Sequence, residues 1–240
     1  MSGFFITGTD TGIGKTFVTC ALIDAFRQRG LTVAPMKPVA AGTIDVNGVR
    51  MNEDVALFME ATGQRFPLHD VNPYRFREAI APHIAAAHER IGMDIAVIQA
   101  AYSHLSGRAD VVLVEGAGGF LVPLSNDESM ALIPGALQLP LILVVGMRLG
   151  CINHALLTQE AIQSRGLTLA GWVANMPAPR GIMNAYDENL STLKRMIDAP
   201  LIGDVGHFAH TGANDTLSAA CLAASSLATE ILVPTIQEPR

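Results

Sequence analysis

A chain of 240 residues that is 50% hydrophobic and 16% charged carries enough apolar material for a large core and too little charge for disorder. Its net charge of −6 excludes the basic footprint of a nucleic-acid binder. The longest apolar run, Leu139 to Met147, is broken by Pro140 and is too short to span a bilayer. The first residues lack the basic region of a secretory signal, and Cys20, Cys151 and Cys221 are widely spaced. Each cysteine reads as a small buried apolar residue in a reducing compartment, so a cytoplasmic location is expected, without membrane or nucleic-acid partners.

In chain order, the apolar run Phe4-Phe5-Ile6 predicts a strand, and Phe17 to Phe26 predicts an amphipathic helix. Between them stands Gly8-Thr9-Asp10-Thr11-Gly12-Ile13-Gly14-Lys15-Thr16, which ends as a phosphate-binding P-loop ends. Glycines let successive N–H groups turn inward as a nest for an anion, and the following helix adds its positive end. Lys15 supplies charge for the outer phosphates, and the Thr16 hydroxyl suits Mg²⁺. The spacing is one residue longer than usual, because Thr9 stands where the first glycine is common and Gly8 takes its role.

Thr32 to Met36 predicts a second strand, and Lys37-Pro38-Val39 follows it. Ligands of open α/β sheets bind beyond the carboxyl ends of strands, so Lys37 is expected on the rim of the P-loop. Asn52 to Ala61 predicts a helix with Asp54 in its first turn. Residues 63–80 read as irregular, and Ala81-Pro82-His83 opens another helix, with His83 expected to be a satisfied structural histidine. Met93 to Leu105 repeats apolar residues at helical spacing.

Asp110 to Val114 predicts a strand buried on both faces that ends in Glu115, where P-loop enzymes commonly place a metal-holding Asp. Leu141 to Val145 and Thr168 to Asn175 predict further strands, separated by a helix over Cys151 to Gln163. Asn175, followed by Pro177 and Pro179, reads as a turn residue or as a reader of a base. A helix over Ala185 to Ile197, a short strand over Pro200 to Gly203 and a closing helix over 215–232 complete the pattern. His207 and His210 lack a third nearby ligand and are not expected to hold a metal. The alternation implies an α/β fold, a single domain over residues 1–240 with one mostly parallel sheet and helices on both faces.

Several stretches together resemble the dethiobiotin synthetase family: Gly8 to Thr16, Lys37-Pro38-Val39, Asn72-Pro73-Tyr74, Pro82-His83, Val114 to Gly119, Gly150 to His154, and Gly171 to Asn175. The resemblance implies a P-loop NTPase fold and an ATP- and Mg²⁺-dependent cyclo-ligase. Its substrates are CO₂ and the diamine 7,8-diaminopelargonate, which closes to a cyclic urea through a carbamate and a carbamic-phosphoric anhydride. It implies catalytic roles for Lys15, Lys37 and Thr11, and metal ligation by Thr16, Asp54 and Glu115. ATP contacts fall to Gly12, Ile13, Gly14, Lys15, Thr16, Phe17, Asp54, Glu115, Gly116, Ala117, Gly118, Asn175, Met176, Asp204, Val205 and Gly206. Lys37, Ala41, Gly150, Cys151 and Asn153 would meet the diamine, the last three across a homodimer interface. Gly12, Ala41 and Gly206 stand where the family often carries Glu, Ser and Pro, so altered affinity rather than lost activity is expected.

Two other readings share the fold. Related amide ligases add a glutamine-hydrolysing domain, for which these 240 residues leave no room. Nucleotide-switch ATPases of the partition and septum-positioning type place a second lysine early in the loop, where this chain has Thr9, Asp10 and Thr11.

Overall fold

Phe4 and Ile6 pack into one hydrophobic cluster while Phe5, between them, packs into another, so the first strand is covered on both faces. The computed structural model describes residues 2–46, 48–177, 183–208 and 213–232. The chain runs through β1 (Ser2–Gly8), α1 (Lys15–Gln28), β2 (Val33–Met36), β3 (Val39–Ala41), β4 (Ile44–Val46), β5 (Val49–Met51) and α2 (Glu53–Ala61). It continues through α3 (Leu68–Val71), β6 (Tyr74–Phe76), α4 (Pro82–Glu89), α5 (Ile95–Ser106), β7 (Val111–Glu115), α6 (Leu132–Leu137) and β8 (Leu141–Gly146). Last come α7 (Cys151–Gln163), β9 (Leu169–Asn175), α8 (Tyr186–Met196), β10 (Leu201–Val205), α9 (Ala213–Ala224) and a 3₁₀ turn, Thr229–Ile231.

Six strands form one sheet in the order β10-β9-β8-β1-β7-β2, every neighbouring pair parallel. One face packs on α1 and α9, where the Phe4 and Phe26 rings stack 6.3 Å apart. The other face is covered by α5 beside β7 and by α7 and α8 beside β8 and β9. The chain steps from β1 to one side, returns, and then builds outward on the other side. β1 therefore ends at a topological switch point, where an open sheet leaves a crevice at its carboxyl edge.

Asn52 caps α2 by accepting from the Asp54 N–H, and Pro82 occupies the first turn of α4 as expected. Four expectations are corrected. Residues 63–80 are not irregular throughout: they contain α3 and β6, and β6 pairs in parallel with β3. The closing helix stops at Ala224, because Leu227 bridges to Gly203 and the Ala228 N–H donates to Ile202 O, pulling the chain onto β10. Cys20 and Cys151 are buried, but Cys221 is exposed. His83 is not satisfied: its Nδ1 is buried and has no partner among the described residues. Pro179 and His210 lie outside the described residues. No helix among the described residues is long and apolar enough to cross a membrane.

Candidate nucleotide and catalytic site

The P-loop leaves β1 and enters α1 at Gly14, whose φ of 85° is left-handed. A side chain at Gly14 would also overlap the Asn175 amide, so only glycine fits on both counts. Lys15 folds back over the loop and donates to Asp10 O at 2.9 Å. Burial pushes the Lys15 ammonium down to about 8, against the pull of Glu115, while Lys37 adds repulsion.

Lys37 is buried at the end of β2 and its ammonium joins two acids from different elements. It lies 2.6 Å from Glu115 Oε1 at the end of β7 and 2.7 Å from Asp54 Oδ2 in α2. Burial works against its charge, but the two carboxylates prevail and hold the ammonium well above the ordinary lysine range. Burial likewise opposes charge on Asp54, yet Lys37 keeps that carboxyl below its ordinary value. Thr16 donates to the same Glu115 Oε1 at 2.9 Å, and Thr19 donates to Oε2 at 2.6 Å. The Lys37 backbone is fixed too: its N–H donates to Val71 O, and its carbonyl accepts from Asn72 Nδ2 at 2.7 Å.

One cleft of about 880 Å³ is lined by Thr11, Gly12, Gly14, Lys15, Thr16, Phe17, Lys37, Asp54, Glu115 and Gly118, together with Leu57 and Thr216. A second cleft of about 430 Å³ shares Gly12, Gly14 and Phe17 and runs on to Asn175, Met176 and Gly206. Pro177, His207 and Phe208 complete it, with the Phe208 ring 5.7 Å from that of Phe17. Asn175 donates from Nδ2 to Ile13 O at 2.7 Å, tying β9 to the P-loop.

Other expected residues lie elsewhere. Val205 is buried in the core and its carbonyl accepts from the Met176 N–H; the Asp204 carboxylate accepts from the Tyr186 hydroxyl. Gly116 donates its N–H to Ile6 O, and Ala117 packs against the core on the α5 side. Ala41 ends β3, and its carbonyl accepts from the Asn52 amide. Gly150 is the left-handed cap of α7, Cys151 is buried and Asn153 is exposed; these three residues and Ala41 are not among those lining either cleft. Arg148, just before that cap, forms an ion pair with Asp10 of the P-loop.

Thr19, Leu57, Phe208 and Thr216 were not picked out from the sequence. Thr19 had a signal, since it lies three residues after Thr16 and four after Lys15 on one helical face. Leu57 and Thr216 carry no local signature. Among the described residues no group of three His, Cys, Asp or Glu side chains is placed to hold a metal. Thr16, Asp54 and Glu115 instead form an all-oxygen set of two acids and a hydroxyl. Such a set fits Mg²⁺, which binds few carboxylates and completes its shell with phosphate oxygens and water.

A family model described as an AAA domain matches residues 2–213. The ATP-dependent dethiobiotin synthetase BioD of Aromatoleum aromaticum is 53% identical over 219 residues, covering 91% of this chain and 96% of that protein. The protein of the same description from Nitrosospira multiformis is 49% identical over 216 residues, covering 90% and 93%. Among solved structures, a chain of the MinC:MinD cell division protein complex of Aquifex aeolicus has a TM-score of 0.58 at 16% identity, covering 100% of this chain and 99% of that one. The septum site-determining protein MinD of Pyrococcus horikoshii, complexed with Mg-ADP, has a TM-score of 0.56 at 18% identity, covering 99% and 100%. Likeness at that identity shows a shared P-loop NTPase fold and no more. Identity near one half across nine-tenths of the sequence is different in kind, and the chain therefore belongs to the ATP-dependent dethiobiotin synthetases, ligases of biotin biosynthesis.

Proposed function

We propose that this enzyme closes 7,8-diaminopelargonate and CO₂ to dethiobiotin in the cytoplasm, through a carbamate and a carbamic-phosphoric anhydride, with ATP becoming ADP and phosphate. The observation that carries this reading is Lys37, a buried ammonium beside Lys15's cleft and joined to two acids. A carbamate and a γ-phosphate brought together are two anions, and the step needs cationic charge that shifts as theirs does.

The Gly12 to Phe17 backbone and the start of α1 cradle the phosphates. Lys15 neutralises the charge that grows on the β–γ bridging oxygen as the carbamate oxygen bonds to the γ-phosphorus. Lys37 holds the carbamate, and Thr11 at the cleft mouth orients it. The second amine then attacks the carbamoyl carbon, and phosphate leaves as the C–O bond breaks. Thr16, Asp54 and Glu115 would hold Mg²⁺, which would supply Lewis-acid charge neutralisation on the phosphate oxygens. Lys37 neutralises those two acids in the absence of a cation, and a cation held by them would leave its charge available to the carbamate. Asn175 spends its N–H on the P-loop, which leaves Oδ1 to accept from the adenine amino group, with Phe208 and Met176 against the ring.

Gly150, Cys151 and Asn153 lie at a helix start suited to the carboxylate tail of the diamine. Leu149, next to them, is 96% exposed, which supports a homodimer in which this corner meets the partner's cleft. The test is ATP-dependent incorporation of labelled bicarbonate into product with the diamine as sole acceptor. Label entering product without ATP, or ATP hydrolysis without label, would sink the proposal.

A further inference from the structure

The carboxylate of Glu115 is held at both oxygens by one helix. Thr16 donates to Oε1, and Thr19, one turn further along α1, approaches Oε2 at 2.6 Å. Thr19 also lies 2.9 Å from Lys15 O, the contact a helical threonine ordinarily makes with the carbonyl four residues back. A hydroxyl has one hydrogen. The shorter, charge-assisted contact to the carboxylate takes it.

Thr19 and Glu115 are both fully buried, and Thr19 does not line the cleft. No solvent hydroxyl replaces the contact if Thr19 is lost. Among the described residues the Glu115 carboxylate is otherwise tied through Oε1, to Thr16 and Lys37. On the proposed function those two groups would turn to phosphate, a cation and the carbamate, while Oε2 stays anchored to a group outside the cleft.

We propose that Thr19 is a positioning residue for metal binding. Its hydroxyl pins Glu115 Oε2 so that Oε1 keeps facing Thr16 and the cleft after Lys37 lets go. The proposal rests on Glu115 being a metal ligand. Partners of a ligand's second atom typically set ten- to a hundredfold of metal affinity, because they fix the ligand's direction in advance.

Mn²⁺ binding followed by electron paramagnetic resonance at saturating ADP tests this on the whole chain. Thr19→Val keeps shape and removes the hydrogen, while Thr19→Ser keeps the hydrogen. Thr19→Val is expected to weaken Mn²⁺ about tenfold or more. Thr19→Ser should stay near wild type, and ADP affinity measured in chelator should not move. In a Glu115→Gln background, Thr19→Val should add nothing further. If Thr19→Val proves insoluble, Thr19→Ala carries the same comparison. Wild-type Mn²⁺ affinity in the Thr19 variant, with affinity lost in Glu115→Gln, overturns the role of Thr19 alone. Unchanged affinity in Glu115→Gln overturns the metal reading and this inference with it.

Discussion

Replacing Lys37 with Met removes a buried cation and leaves its main partner, the fully buried Glu115, without the charge it touches, with only the weaker pull of Lys15 remaining. Breaking a buried pair from one side costs about 3–5 kcal/mol, because the survivor has lost both water and partner. Asp54 adds little, since its side chain is 37% exposed and water takes over part of its screening. For a chain of this size, each kcal/mol lowers the melting temperature by about 2–4 °C, so a drop of about 6–20 °C is expected. The folded pKa of Lys37 is raised above 10.5, so its contribution is complete below that value and is lost only as pH climbs through the raised one. Thermal unfolding by circular dichroism at pH 7.5, without nucleotide or metal, provides the measurement. The neutral double variant Lys37→Met/Glu115→Gln should recover most of the loss. A single variant that melts within about 2 °C of wild type would refute the reasoning.

Asp54→Asn should raise the Mg²⁺ concentration for half-maximal rate, because a neutral amide is the weaker ligand for a hard cation; overlapping titration curves would count against Asp54 as a ligand. Lys15 is lowered to about 8, so near pH 8 about half of the nucleotide-free protein lacks that proton. Phosphate restores it, and ADP binding should take up protons at pH 8 and almost none at pH 6.5. Calorimetry in buffers of different ionisation enthalpy measures that difference, and equal uptake at both values would point to another group. Mixing inactive Lys37→Ala with inactive Asn153→Ala should restore part of the activity through hybrid dimers, and no recovery after verified subunit exchange would exclude a shared site.

The elements legible in the sequence were those whose local pattern and tertiary role agree. The runs Val111 to Val114 and Leu141 to Val145 are continuous because both faces are covered, and α7 was expected at the residues it occupies. Lys15, Lys37 and Glu115 were legible as strand-end and loop residues of one rim. Their pairing was not, since nothing local says that Lys37 will meet an acid 78 residues away. The pieces that escaped are short. β3 and β6 are three residues each and exist only through each other, and α3 is a single turn. The closing helix was overextended because the small, apolar stretch from Leu217 onward carries no local stop signal, while tertiary contacts with β10 hold its end.

The strand order explains why a lysine from β2 and an asparagine from β9 can serve one substrate pair. β1, which carries the P-loop, has β7 and β2 on one side and β8, β9 and β10 on the other. The residues proposed to meet a base, Asn175, Met176, Gly206 and Phe208, come from the β9–β10 side. Besides Lys15 of the P-loop, the charged residues Lys37, Glu115 and Asp54 come from the β7–β2 side or from α2 behind it. Gly12, Gly14 and Phe17 belong to both clefts and join them. A nucleotide lying along this edge has one direction in which its base meets apolar surface and its outer phosphates meet ammonium groups. In the reverse direction, Lys37 and two acids would face an uncharged base in a site where Glu115 has no water to fall back on. On the proposed function, polarity across the switch point would orient the nucleotide before any contact to the base is made, with the transferable phosphate on the side of Lys37.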